Sequence, residues 1–179
     1  MDRQIRVRCR VVGGDDDTAV DVAHVGDGVV IRPRFDPVAR PFESLTDDDW
    51  AAAWEAPVRA TVSALQRAHR DGVRHIVVVV PVLAMSGGAE YAHVAAPAEA
   101  IRVLVKSAAR QWGADGINVN AVAVASSTVV ARADVAGPVS IAPPALASSD
   151  PDALIAFLCS DASGDVTGQT VVVDGGEWM

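Results

Sequence analysis

Side chains able to move a proton, ligate an ion or attack an electrophile are few in this chain: four histidines, one tyrosine and two cysteines, besides its carboxylates. His24, His69, His75 and His93 are scattered, and Cys9 and Cys159 lie at opposite ends with no metal-ligand spacing. Both cysteines are expected as free thiols. His69 and His75 flank a turn and are expected at the surface. His93 sits close to Glu90 and Tyr91, and this trio is the one place where acid/base chemistry could be assembled; a polar loop residue is the plainer role for His93. Asp15, Asp16 and Asp17 could approach a cation, yet no second ligand cluster accompanies them, so a solvated acidic turn and no metal are expected. Arg6, Arg8 and Arg10 suit an anionic partner surface or, equally, a solvated strand edge. Trp50 and Trp54, at helical spacing, suit a core or an interface better than a ligand platform.

The elements that would position these groups follow from periodicity. Residues 4–12 alternate Ile5, Val7, Cys9 and Val11 against the arginines, a half-buried strand. Segments 18–25 and 28–33 follow after short turns, and the three together are drawn as an antiparallel meander. Thr46 with Asp47, Asp48 and Asp49 opens a helix over 47–69 as a capping-box-like start. Pro57 lies inside that helix and should bend it. The run HIVVVVPV at 75–82 suits a strand buried on both faces. A helix over 97–112 places Pro97 in its first turn, and strands follow at 117–123 and 169–174 with a short helix from Asp150-Pro151 between them. Helix and strand alternate from residue 46 onward, which specifies an α/β sandwich on a parallel sheet whose strands fall near 29–33, 75–81, 117–123 and 169–174.

The chain has 179 residues, half of them apolar, and one domain over 1–179 is expected. Fifteen Lys and Arg against 23 Asp and Glu give a net charge of −8, which supplies no basic face for nucleic acid. No apolar run approaches membrane-spanning length and no leader precedes the first strand, so a cytoplasmic protein is expected. Arg in place of Lys, with much Ala and Val, points to a bacterial source.

PFESLTDDDW (41–50), KSAARQW (106–112), GADGINVNAVA (113–123) and FLCSDASGDVTGQTVVVDGG (157–176) stand in the order and spacing of the short-chain dehydrogenase/reductase family, which residues 41–176 resemble. Residues 1–34 diverge from it. The resemblance implies a Rossmann-like three-layer fold, and it implies where the family's chemistry would sit. Counted back from Ser107, the family's catalytic tyrosine and lysine fall on Val94 and Ala98, and its carbonyl-polarising serine falls on Pro81. Its helix asparagine falls on Pro57, and its Pro-Gly after NAVA falls on Val124-Ala125. None of these side chains can transfer a proton. The family's glycine-rich phosphate turn corresponds to Gly13, Gly14, Asp15, Asp16 and Asp17, with carboxylates where a dianion would dock.

The resemblance therefore implies a truncated, degenerate member: no cofactor, no NAD(P) binding, and a pseudoenzyme that works by assembly. Its helices 47–69 and 97–112 correspond to the family's dimerising pair, so the expected partner is itself or a full-length paralogue. A cofactor-independent cyclase, isomerase or dehydratase using Tyr91, His93, Glu90 and the loop 126–145 stands as the alternative.

Overall fold

The structure, a computed structural model, describes residues 19–136 and 150–178. The expected strand over 4–12 and the acidic turn after it lie outside those residues, as does much of the loop 126–145. Strands β1 (Val20–Val25) and β2 (Gly28–Pro33) form an antiparallel hairpin, with Val25 opposite Gly28. The chain reverses through Gly26-Asp27, where Gly26 takes a φ of 56° that a side chain would resist. Asp21 and Arg34 close the open end of the hairpin with an ion pair.

Beyond the hairpin the sheet is parallel. Strands β3 (His75–Pro81), β4 (Asn118–Val124) and β5 (Thr170–Val173) add in turn, giving the order β1-β2-β3-β4-β5. Their β-branched residues split by pleat between two faces. Val29, Ile31, Ile76, Val78, Val80 and Val119 pack under α1 (Asp47–Arg70) and α3 (Ala92–Trp112). Val30, Val77, Val122 and Val124 pack on the other face against Ile155 and Leu158 of α4 (Asp152–Leu158). Each fully buried valine contributes about 1.5–3 kcal/mol. The result is the three-layer, Rossmann-like sandwich that alternation implied.

Helix α1 starts where its cap says it should. The Asp49 amide donates to Thr46 Oγ1 at 3.1 Å, and the Thr46 amide and hydroxyl both donate to the Asp49 carboxylate, at 3.2 and 2.6 Å. The helix continues through Pro57 without ending, although the proline leaves the Ala53 carbonyl with no amide at its usual position. Thr61 Oγ1 donates to the Pro57 carbonyl at 2.7 Å, so the buried hydroxyl is satisfied one turn later.

Two expectations need correction. Helix α3 begins at Ala92, not Pro97, so the proline is buried inside the helix rather than in its first turn. The true start has no side-chain cap, and packing of Tyr91, Val94 and Ala98 fixes it instead. His75 is not at the surface: it is 2% exposed at the start of β3, with Nε2 3.2 Å from Asp161 Oδ1. His69 is half-buried, its ring 4.6 Å from that of Trp112. Leu65 and Val105 face the core, whereas Val103 is exposed and Val62 and Leu104 are half-buried.

Candidate functional site

Parallel α/β sheets bind ligands beyond the carboxyl ends of their strands. Here those ends carry Pro81 and Val124, the final register pair of β3 and β4, and the Val82 amide donates to the Val124 carbonyl at 2.8 Å. The chain turns at once into the short helix α2 (Leu83–Ser86). Val94 and Ala98 come from one face of α3 and are fully buried. Val94 packs with Leu83, Tyr91 and Val130, and Ala98 joins the core under α1. These four side chains offer neither a proton nor a hydrogen bond.

Tyr91, His93 and Glu90 are adjacent in sequence but face different surroundings. Tyr91 is fully buried; its hydroxyl accepts the Arg132 amide at 3.0 Å and lies 3.5 Å from the Pro37 carbonyl. It ties the start of α3 to two loops. Glu90 is exposed with a φ of 60°, and its carbonyl accepts the Arg40 amide at 2.8 Å. His93 is helical rather than in a loop, 2% exposed, and stacked 6.1 Å from Tyr91. Its ring nitrogens make no hydrogen bond of good geometry among the described residues, although the Asp36 and Val38 carbonyls lie near enough to act on the imidazole. Burial holds its pKa below the ordinary histidine value, aided by the Arg40 charge and opposed by Asp36 and the nearby Asp36 and Val38 carbonyls.

His93 forms part of a cleft of about 210 Å³ between α1 and the segment 34–45. Asp49, Ala52, Ala53, Ala56 and Pro57 of α1 make one wall, with Phe35 and Leu45 across from them. Arg40 spans it, donating from Nη1 to Asp49 at 2.8 Å and from Nη2 to Asp36 at 2.6 Å, while its buried Nε has no partner among the described residues. Asp49 titrates below the usual carboxylate range, chiefly through the Thr46 hydroxyl. Sequence reasoning missed this ion triad, because Asp36 and Arg40 lie in an irregular proline-rich segment with no period to read.

A second groove, of about 530 Å³, lies beside β5 and is edged by Arg102, Lys106, Arg110 and Gln169. Arg102 is held by Glu99 at 2.6 Å. Cys159 is a buried free thiol whose pKa burial pushes up to about 11. Among the described residues no group of His, Cys, Asp or Glu is gathered closely enough to hold a metal ion, and no helix is long and apolar enough to cross a membrane. Gly13, Gly14, Asp15, Asp16 and Asp17 lie outside the described residues.

The profile of a dehydrogenase family described as enoyl-(acyl carrier protein) reductase matches residues 20–177. The cis-4-hydroxycyclohexanecarboxylate dehydrogenase of Sinomonas cyclohexanicum is 32% identical over 154 residues, covering 78% of this chain and 61% of that protein. Acetoin dehydrogenase from Enterobacter cloacae superposes with a TM-score of 0.64 at 26% identity, over 82% of this chain and 62% of that one. An oxidoreductase from Escherichia coli shares the fold at a TM-score of 0.65 and 23% identity, with the same coverage. The chain thus spans about three fifths of the length of these relatives. With the sheet order, the two-sided core and the matched profile in agreement, the chain belongs to the short-chain dehydrogenase/reductase family.

Proposed function

We propose that this chain is a non-catalytic member of its family that acts by association, with itself or with an active relative, through α1 and α3. The observation that carries this reading is the filling of the reactive positions. The resemblance assigns the family's proton-transfer pair to Val94 and Ala98, and both are sealed in the core. By the same resemblance Pro81 and Pro57 fall on the family's serine and asparagine positions, and Asp15–Asp17 fall in the stretch corresponding to its glycine-rich phosphate turn. The relatives named as dehydrogenases need a group that moves a proton, and these positions supply none.

Association is supported by what the sheet does not cover. Trp50 and Trp54 stack 6.1 Å apart on α1 while remaining 37% exposed each, and Val103 of α3 is 47% exposed. Two such helices meeting their mates would bury on the order of 1,500 Å², enough for a stable complex. Sedimentation velocity tests this: the unmodified chain, or its mixture with a full-length family member, should run as a complex. Val103→Asp should dissociate it without loss of helical signal. A folded monomer that recruits no relative would refute association.

A cofactor-independent enzyme is the second reading, and His93 is the observation in its favour. Tyr91 and Glu90 do not line the cleft that His93 occupies.

A further inference from the structure

We propose that the groove between α3 and β5 is a binding site for a small organic diacid, a molecule with a carboxylate at each end of a short hydrocarbon chain. The inference is independent of the association reading and would stand or fall without it.

The first support is charge. Arg102, Lys106 and Arg110 line the groove, and no Asp or Glu lines it among the described residues, in a chain whose net charge is −8. Their spacing of four residues puts all three along one flank of α3. Arg102 is already matched, its Nε donating to the Glu99 carboxylate at 2.6 Å. Lys106 and Arg110 have no ion pair among the described residues. Two positive charges therefore stand over the groove uncompensated.

Spacing turns two charges into two ends. A helical step of four residues rises about 6 Å, close to the length of an extended chain of four methylenes. A compact dianion such as phosphate would have to draw both side chains to one point, whereas a diacid meets each from its own turn of the helix. Arg110 offers a planar fork that suits one carboxylate, and Lys106 a point charge that suits the other.

The lining answers the rest of the molecule. Met85, Ala109 and Gly168 give an apolar surface for the methylenes. Gly168 holds a φ of 69°, and a Cβ there would come within 3.4 Å of the Ala109 Cβ, so glycine leaves that space open. Thr167 Oγ1 accepts the Val119 amide at 3.2 Å and keeps its hydroxyl proton to donate. Gln169 spends one Nε2 proton on the Thr167 carbonyl at 3.1 Å and has a second to give. The volume, about 530 Å³, lies within the ~300–1,000 Å³ usual for small-molecule sites.

Adipate is the probe, with hexanoate, adipamide and inorganic phosphate as controls that remove one charge, both charges and the hydrocarbon chain. Each is titrated into the full chain at neutral pH and low ionic strength while the Gly168 and Gln169 amides are followed by proton–nitrogen correlation. The expected result is a saturable shift for adipate with a dissociation constant of about millimolar, binding at least ~3-fold weaker for hexanoate and phosphate, and none for adipamide. Lys106→Gln and Arg110→Gln should each weaken adipate about 3- to 5-fold, and the two together at least ~10-fold. Both side chains are exposed, so the circular dichroism of these variants should not change. No saturable shift for adipate, equal binding of any control, or binding indifferent to the double variant would overturn the proposal.

Discussion

Gly28 and Cys159 touch so closely that a Cβ on the glycine would lie 2.7 Å from the cysteine's Cβ and 2.8 Å from the His75 carbonyl oxygen. That contact seats the end of α4 on the start of β2, locking one helical layer to the sheet. Gly28→Ala should destabilise the domain by about 1–3 kcal/mol, since backbone and a rigid Cβ have to move. Urea denaturation would show it as a lower midpoint at unchanged slope. Cys159→Ala added to it should restore little, because the Cβ clash persists.

Cys159 should also be chemically silent. Burial raises its pKa from 9.0 to about 11, so the folded protein favours the thiol. The stability this contributes is complete below pH 9 and is lost as pH rises through about 11. In a Cys9→Ser background, a thiol reagent at pH 8 should react with the unfolded chain much faster than with the folded one.

Loss of the Tyr91 hydroxyl should loosen the junction of α3 with its loops. Tyr91→Phe leaves the Arg132 amide without its 3.0 Å acceptor. A cost of about 1–2 kcal/mol is expected, read from thermal or urea unfolding. Little change in stability would show that the amide finds water instead.

On the acid side, Asp21 and Asp49 titrate low, the first held by the Arg34 hydrogen bond and the second by the Thr46 hydroxyl. Their contribution is present above the unfolded value of 3.8 and is lost as pH falls through their lower folded values. Stability should therefore fall below about pH 4, and Asp21→Asn should flatten that limb. Thr46→Ala should cost about 1 kcal/mol at neutral pH through the lost cap.

The parts legible in the sequence were those that obey a local rule. The β-branched run at 75–81, the cap at Thr46 and the Gly26-Asp27 reversal each announce their element. The start of α3 was not legible, because Ala92 has no capping side chain and Pro97 mimics a helix opening. His75 is buried at the start of β3 and its Nε2 meets Asp161, 86 residues away, a long-range contact that no window could reveal. The cleft was hidden for the same reason: Arg40 joins Asp36 to Asp49 across an irregular loop, and His93 reaches them only through the packing of α3. Side-chain type identified His93 as the acid/base candidate, while Tyr91 turned out to be committed to backbone groups.

Calorimetric titration of the full chain with NADH and NADPH tests most directly the proposal that this chain has lost its family's dinucleotide chemistry. On the proposed reading, in which Val94 and Ala98 take the positions of the family's proton-transfer pair and Asp15–Asp17 those of its phosphate turn, no saturable heat is expected up to about 1 mM of either dinucleotide. A dissociation constant of about 10 µM for either one would contradict the account.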